Sequence, residues 1–129
     1  DQLFAILAEV GAANKPIAIS ESGYSADPFS ISLGDEYIPF LFAGSPEKQE
    51  RFLKLMFYEL RKASNPVEFV VNYQVRDGDL WWQRLFSSEG DIFNQFYQYF
   101  RDIGLYAGDG SERPATVRWK NEFALPIAP

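Results

Sequence analysis

A chain of 129 residues, 47% apolar and 23% charged, has the size and composition of one domain with its own core. Twelve Lys and Arg against 18 Asp and Glu leave a net charge of −6, which lacks the electrostatic footprint of a nucleic-acid binder and is disfavoured at anionic membranes. The absence of Cys and His excludes disulfides, thiolate metal sites, thiol nucleophiles, imidazole bases and Ser-His triads, so the chemistry left is that of carboxylates, hydroxyls, Lys or Tyr.

The chain opens on Leu3, Phe4, Ile6, Leu7 and Val10 at helical spacing, with Gly11 as a stop. It begins at Asp1 in what reads as the middle of an amphipathic helix. The expectation is therefore a C-terminal piece of something longer, with no signal peptide and no membrane-spanning run of its own. After a turn at Asn14-Lys15-Pro16, Ile17–Ser20 reads as a short buried strand, with Pro16 tolerated at its start. Glu21-Ser22-Gly23-Tyr24 follows directly, and a loop is expected from Ser25 to Gly44.

Ser45-Pro46-Glu47 is a strong helix start: a cap, a first-turn Pro and a carboxylate that complements the dipole. Phe52, Leu53, Met56, Phe57, Leu60 and Ala63 form one face of a helix over 46–64. Asn65-Pro66 ends it, because the residue before Pro avoids helical backbone. Val67–Tyr73 is the best strand in the sequence, rich in β-branched and aromatic residues. A long loop from Gln74 to about Gly90 follows, then a short helix over Asp91–Phe100. Asp109-Gly110 is a turn. Arg113-Pro114-Ala115 opens a last helix through about Phe123, and the tail Leu125–Pro129 is irregular.

Helix, strand, helix, strand, helix is an α/β order, and strands alternating with helices pair in parallel through a crossover. Two strands are too few for a free-standing parallel sheet, which again points to a partial domain over 1–129. The aromatic content is 17%, with 12 Phe, 7 Tyr and 3 Trp. The Phe excess fits a ring-built core; the Tyr and Trp are the usual equipment for stacking on sugars.

In parallel α/β sheets function gathers at the C-terminal ends of strands. Glu21 sits at one such end, and an ionised carboxylate after a buried strand calls for a hydrogen bond or a partner such as Arg76. Tyr73-Gln74-Val75-Arg76-Asp77-Gly78-Asp79 sits at the other. Asp77 could take a sugar hydroxyl or a calcium ion, or close a polar turn; no full calcium-loop spacing is present and no metal is expected. Ser20 and Ser22 have no base to activate them, and no Gly-rich phosphate loop follows either strand, so no cofactor is expected.

Lys15-Pro-Ile-Ala-Ile-Ser-Glu21-Ser-Gly-Tyr24-Ser resembles the segment of clan A glycoside hydrolases that carries the catalytic nucleophile after the seventh barrel strand. The Ser-Pro-Glu-Lys-Gln helix start is similar to their seventh helix, and Val67–Tyr73 to their eighth strand. Ile103-Gly-Leu-Tyr-Ala-Gly-Asp-Gly-Ser-Glu-Arg-Pro-Ala115 with Trp119 is similar to the run into the eighth helix. The resemblance covers nearly the whole chain. It implies the C-terminal part of a TIM (β/α)8 barrel, from the sixth helix through the eighth, whose own N-terminal part is missing.

The resemblance also implies roles. Glu21 is the nucleophile of a retaining glycosidase, and the general acid/base lies outside this chain, after the fourth strand. The partner is a carbohydrate substrate, with no nucleic acid and no membrane, and the family leans toward extracellular or periplasmic proteins. Tyr24 stands where many relatives have Trp. Tyr73 could stack on the sugar where relatives carry a Trp at the end of the eighth strand. Alternatively that ring comes from Trp81 or Trp82 in the next loop, a pair that is either a lid over the substrate groove or a plug into the barrel rim. Two rival expectations stay open: a non-catalytic carbohydrate-binding relative, with Glu21 holding a hydroxyl, and an α/β fragment with Glu21 in a structural ion pair.

Overall fold

The computed structural model describes residues 2–32, 40–63, 65–78 and 98–124. Trp81, Trp82, Asp79, residues 91–97 of the helix expected over Asp91–Phe100, and the tail 125–129 lie outside the described residues, while 98–101 are helical.

Helix α1 spans Gln2–Glu9. It ends in a Schellman motif: Gly11 takes φ 74°, its N–H donates to Ala8 O (3.1 Å) and the Ala12 N–H to Leu7 O (2.7 Å). The following turn is pinned by Asn65, whose buried Nδ2 donates to Ala12 O (3.2 Å) and Lys15 O (2.9 Å). One Asn thus ties the entry of the first long strand to the end of the second helix.

Strand β1 spans Ile17–Ser22. Next come β2 (Phe29–Ile31) and β3 (Phe40–Phe42), which pair antiparallel with Phe29 opposite Phe42 and Ile31 opposite Phe40. This pair stands where a loop is expected from sequence. The alternation buried, exposed, buried along Phe29-Ser30-Ile31 is a strand signal, but three residues are too few to stand out without their partner.

Helix α2 runs Pro46–Lys62, two residues short of the expected end. Ser45 caps it by accepting from Lys48 N (3.2 Å), with Pro46 in the first turn. Strand β4 (Val67–Asn72) pairs in parallel with β1, and helix α3 spans Pro114–Phe123. The core is Leu53, Leu105 and Ala115, with Phe52, Met56, Phe57, Tyr106 and Trp119 packed on it. So the expected face of α2 does meet α3, through Phe57 edge-on to Trp119 (5.4 Å between centroids) and an Arg118–Glu50 ion pair at 2.8 Å.

The observed architecture is a small mixed α/β unit with one parallel strand pair joined through a helix. Two strands display a parallel crossover; they do not by themselves display a barrel.

The register of β1 on β4 slips twice. Ile17 faces Val67 but Ala18 faces Phe69; then Ile19 faces Val70 and Ser22 faces Asn72. The first slip puts an extra residue in β4, the second an extra residue in β1 at 20–21. The second bulge shifts the pleat by one, so Ile17 and Ile19 are followed by half-buried Ser22, while Glu21 is exposed. Strict alternation predicts the reverse, with Glu21 continuing the face of Ile17 and Ile19.

Phe69 and Val71 lie exposed on β4 (48% and 42%), and Phe40 and Leu41 on β3 (57% and 75%). Unpaired strand edges beside exposed apolar side chains drive association. The isolated 129-residue chain is therefore expected to form oligomers in light scattering, and Phe69→Thr with Val71→Thr to shift it toward monomer at unchanged secondary structure. A clean monomer for the unsubstituted chain would overturn this.

Candidate functional site

The C-terminal ends of β1 and β4 meet at one edge. The Tyr73 N–H donates to Ser22 O (2.7 Å), and Ser22 Oγ donates to Val71 O (2.8 Å). Glu21 sits in the bulge one residue before this junction. Its side chain is exposed, so water solvates the charge and no burial has to be offset. The burial expected of it from sequence is absent. Among the described residues Glu21 forms no hydrogen bond or ion pair, and Arg76 donates through its guanidinium to Gly108 O.

Tyr24 and Tyr73 belong to one continuous run of rings over this edge. Tyr24 packs on Phe42 (5.0 Å) and Phe52 (5.5 Å). Phe42 stacks on Phe29 (4.9 Å), and both meet Tyr99 edge-on. Tyr99 meets Phe100 (5.2 Å), and Phe100 meets Tyr73 (5.3 Å). The Tyr99 hydroxyl donates to Gly23 O (2.9 Å), which anchors the run to the segment after Glu21. Burial, then the nearby Tyr24 phenol, pushes the Tyr99 phenol above its ordinary value, so it stays a donor at neutral pH. Tyr24 is half-buried and Tyr73 is 45% exposed, so Tyr73 is the more available stacking surface.

Asp77 is placed differently. Arg113 Nη2 lies 2.5 Å from Asp77 Oδ2 and Nη1 donates to Oδ1 at 3.0 Å, with both side chains largely buried. Gly104 N donates to Oδ1 as well (2.7 Å). Both carboxylate oxygens are engaged by the protein, as suits a fork-to-fork clamp. Gly104 is required here: a Cβ would come within 2.5 Å of Asp77 N and 2.6 Å of Oδ1. Asp102, next to this clamp, has its carboxyl pushed up by burial, against the lowering effect of Arg101 at 2.5 Å.

An open groove of about 450 Å³ runs along the hairpin, lined by Pro28, Phe29, Ser30, Leu41, Phe42, Ala43 and Gln98. Glu21 does not line it; Phe29 and Phe42 link it to the ring run.

The structure brings Glu21, Tyr24 and Tyr73 to one edge and turns Asp77 inward. Sequence reasoning missed Arg113, Gly104, Gln49 and Tyr99 as site-building residues. Among the described residues, no cluster of three or more acidic side chains could hold a metal, and no helix is long and apolar enough to cross a membrane. No family model, no curated protein and no solved structure matches the chain.

Proposed function

We propose that this chain is the C-terminal part of a (β/α)8 retaining glycoside hydrolase acting on a polysaccharide or oligosaccharide, with Glu21 as its nucleophile. One observation carries the reading: a solvated carboxylate stands at the C-terminal edge of a parallel strand, in a bulge beside the end of its neighbour, next to a run of aromatic rings. Bulges re-aim side chains beside active sites. A nucleophilic carboxylate must be within reach of the anomeric carbon, and Glu21 is exposed. Tyr73 offers a ring face to a sugar, with Tyr24 behind it. The parallel strand pair joined through α2 suits the seventh and eighth strands of such a barrel.

In the reaction, a Glu21 oxygen forms a bond to the anomeric carbon as the glycosidic C–O bond breaks. The leaving oxygen takes a proton from an acid carried on the absent strands, about 5–5.5 Å from Glu21. Water, deprotonated by that same group, then displaces Glu21. The 129-residue chain lacks that acid and most sugar contacts, and has no glycosidase activity alone.

A second reading draws on the lack of any hydrogen bond to Glu21 among the described residues. An unheld carboxylate also suits a sugar-binding relative without chemistry, in which it accepts from hydroxyls. Trapping separates the two. A panel of 2-deoxy-2-fluoroglycosyl fluorides, which release fluoride and leave a slowly hydrolysed ester, is expected to label Glu21 in the full-length parent by peptide mass spectrometry. Saccharide binding with no adduct at Glu21 on any member supports the binder.

A further inference from the structure

The segment after Glu21 is held from beneath by one buried amide. Gln49, near the start of α2, is 2% exposed. Its Nε2 donates to Tyr24 O (3.0 Å) and to Gly104 O (3.0 Å). Both partners are carbonyls, so the amide's orientation is set. Gly104 O also accepts from Arg113 Nη1 (2.8 Å), and Gly104 N is bound by Asp77. The Ala26 N–H donates to Asp102 O (2.7 Å). One side chain thus joins the loop after β1 to a turn clamped to the end of β4 and the start of α3.

Gln49 Oε1 is buried and has no hydrogen-bond partner among the described residues. An orphaned acceptor works against stability, and a Met would fill similar space without it. A Met would not hold two carbonyls. The two hydrogen bonds tie the amide to the position of a loop.

We infer that Gln49 is a positioning residue for the reaction proposed above: it sets the backbone of Tyr24, and through Gly23 and Ser22 the Glu21 carboxylate, against the end of β4. The inference rests on that functional reading. A displacement of ~1 Å at a reacting group costs on the order of 100-fold in rate, so even part of such a shift is measurable.

The test is Gln49→Met in the full-length parent with three readouts. Unfolding is expected to stay cooperative, with Tm moving by less than about 4 °C. Hydrogen exchange at the Ala26 amide is expected to quicken roughly tenfold or more, with the Leu53 amide unchanged. On an activated aryl glycoside kcat is expected to fall about tenfold or more. Unchanged exchange, or unchanged kcat in an active parent, overturns the inference. Loss of cooperative unfolding also overturns it, in favour of a purely structural Gln. An inactive parent sinks the glycosidase reading and the catalytic half of this inference together, while the exchange result still decides whether Gln49 holds the loop.

Discussion

Replacing Glu21 by Gln in the full-length parent is expected to lower hydrolysis of an activated aryl glycoside by several orders of magnitude. The amide has nearly the size of the carboxylate but cannot form the glycosyl ester. Because Glu21 is exposed and forms no hydrogen bond or ion pair among the described residues, the change leaves no buried group unsatisfied. Thermal stability should therefore hold while activity collapses, which separates a reacting carboxylate from a structural one. Glu21→Ala goes further by opening space beside the anomeric carbon. Added azide is expected to restore part of its turnover by bonding to that carbon as the aryl group leaves, giving a glycosyl azide of inverted configuration. Near-normal activity of Glu21→Gln would eliminate the nucleophile role.

Asp77→Ala is expected to be the most damaging single change to the fold. It strips the partner from Arg113, whose side chain is 11% exposed and sits between Asp77 and the Gly104 and Asp102 carbonyls. Breaking a buried pair by removing one charge costs about 3–5 kcal/mol, because the survivor stays desolvated and unpaired. Gly104→Ala attacks the same clamp sterically, since its Cβ would overlap Asp77 backbone. Denaturant unfolding would measure both. A loss below about 1 kcal/mol for Asp77→Ala, the worth of a surface pair, would show that water reaches the clamp. Arg113→Ala should lose less than Asp77→Ala does if solvent can enter to meet the freed carboxylate.

Much of the local structure was legible before any coordinates. Ser45-Pro46-Glu47 announced the start of α2, and the spacing of Phe52, Leu53, Met56 and Phe57 announced the face that meets the core. Gly11 marked the end of α1 because only a residue at ease with positive φ closes that motif. The β-branched run after Pro66 marked β4, and the helix on either side implied its parallel pairing with β1. Each of these signals lies within a few neighbouring residues. Caps, turns and hydrophobic periods are short-range properties of the backbone, so a sequence carries them openly.

The candidate site residues could be named from the sequence but not placed. Glu21, Tyr24 and Tyr73 stood out as residue types at strand ends. Whether Glu21 is buried depended on a bulge, and a bulge is a property of two strands in register, not of one. The short β2–β3 pair needed Phe29 to find Phe42 across the loop. Asp77 looked like an open turn carboxylate until Arg113, 36 residues on, closed over it. Nothing near Gln49 in sequence marks it as buried; Gly104, 55 residues away, supplies one of its acceptors. Composition and short-range pattern determined the helices, the two long strands and the kinds of chemistry open to a chain without His or Cys. Register, burial and the inward or outward fate of each carboxylate were decided only by long-range closure, because they depend on which distant backbone arrives to pair, to donate or to exclude water.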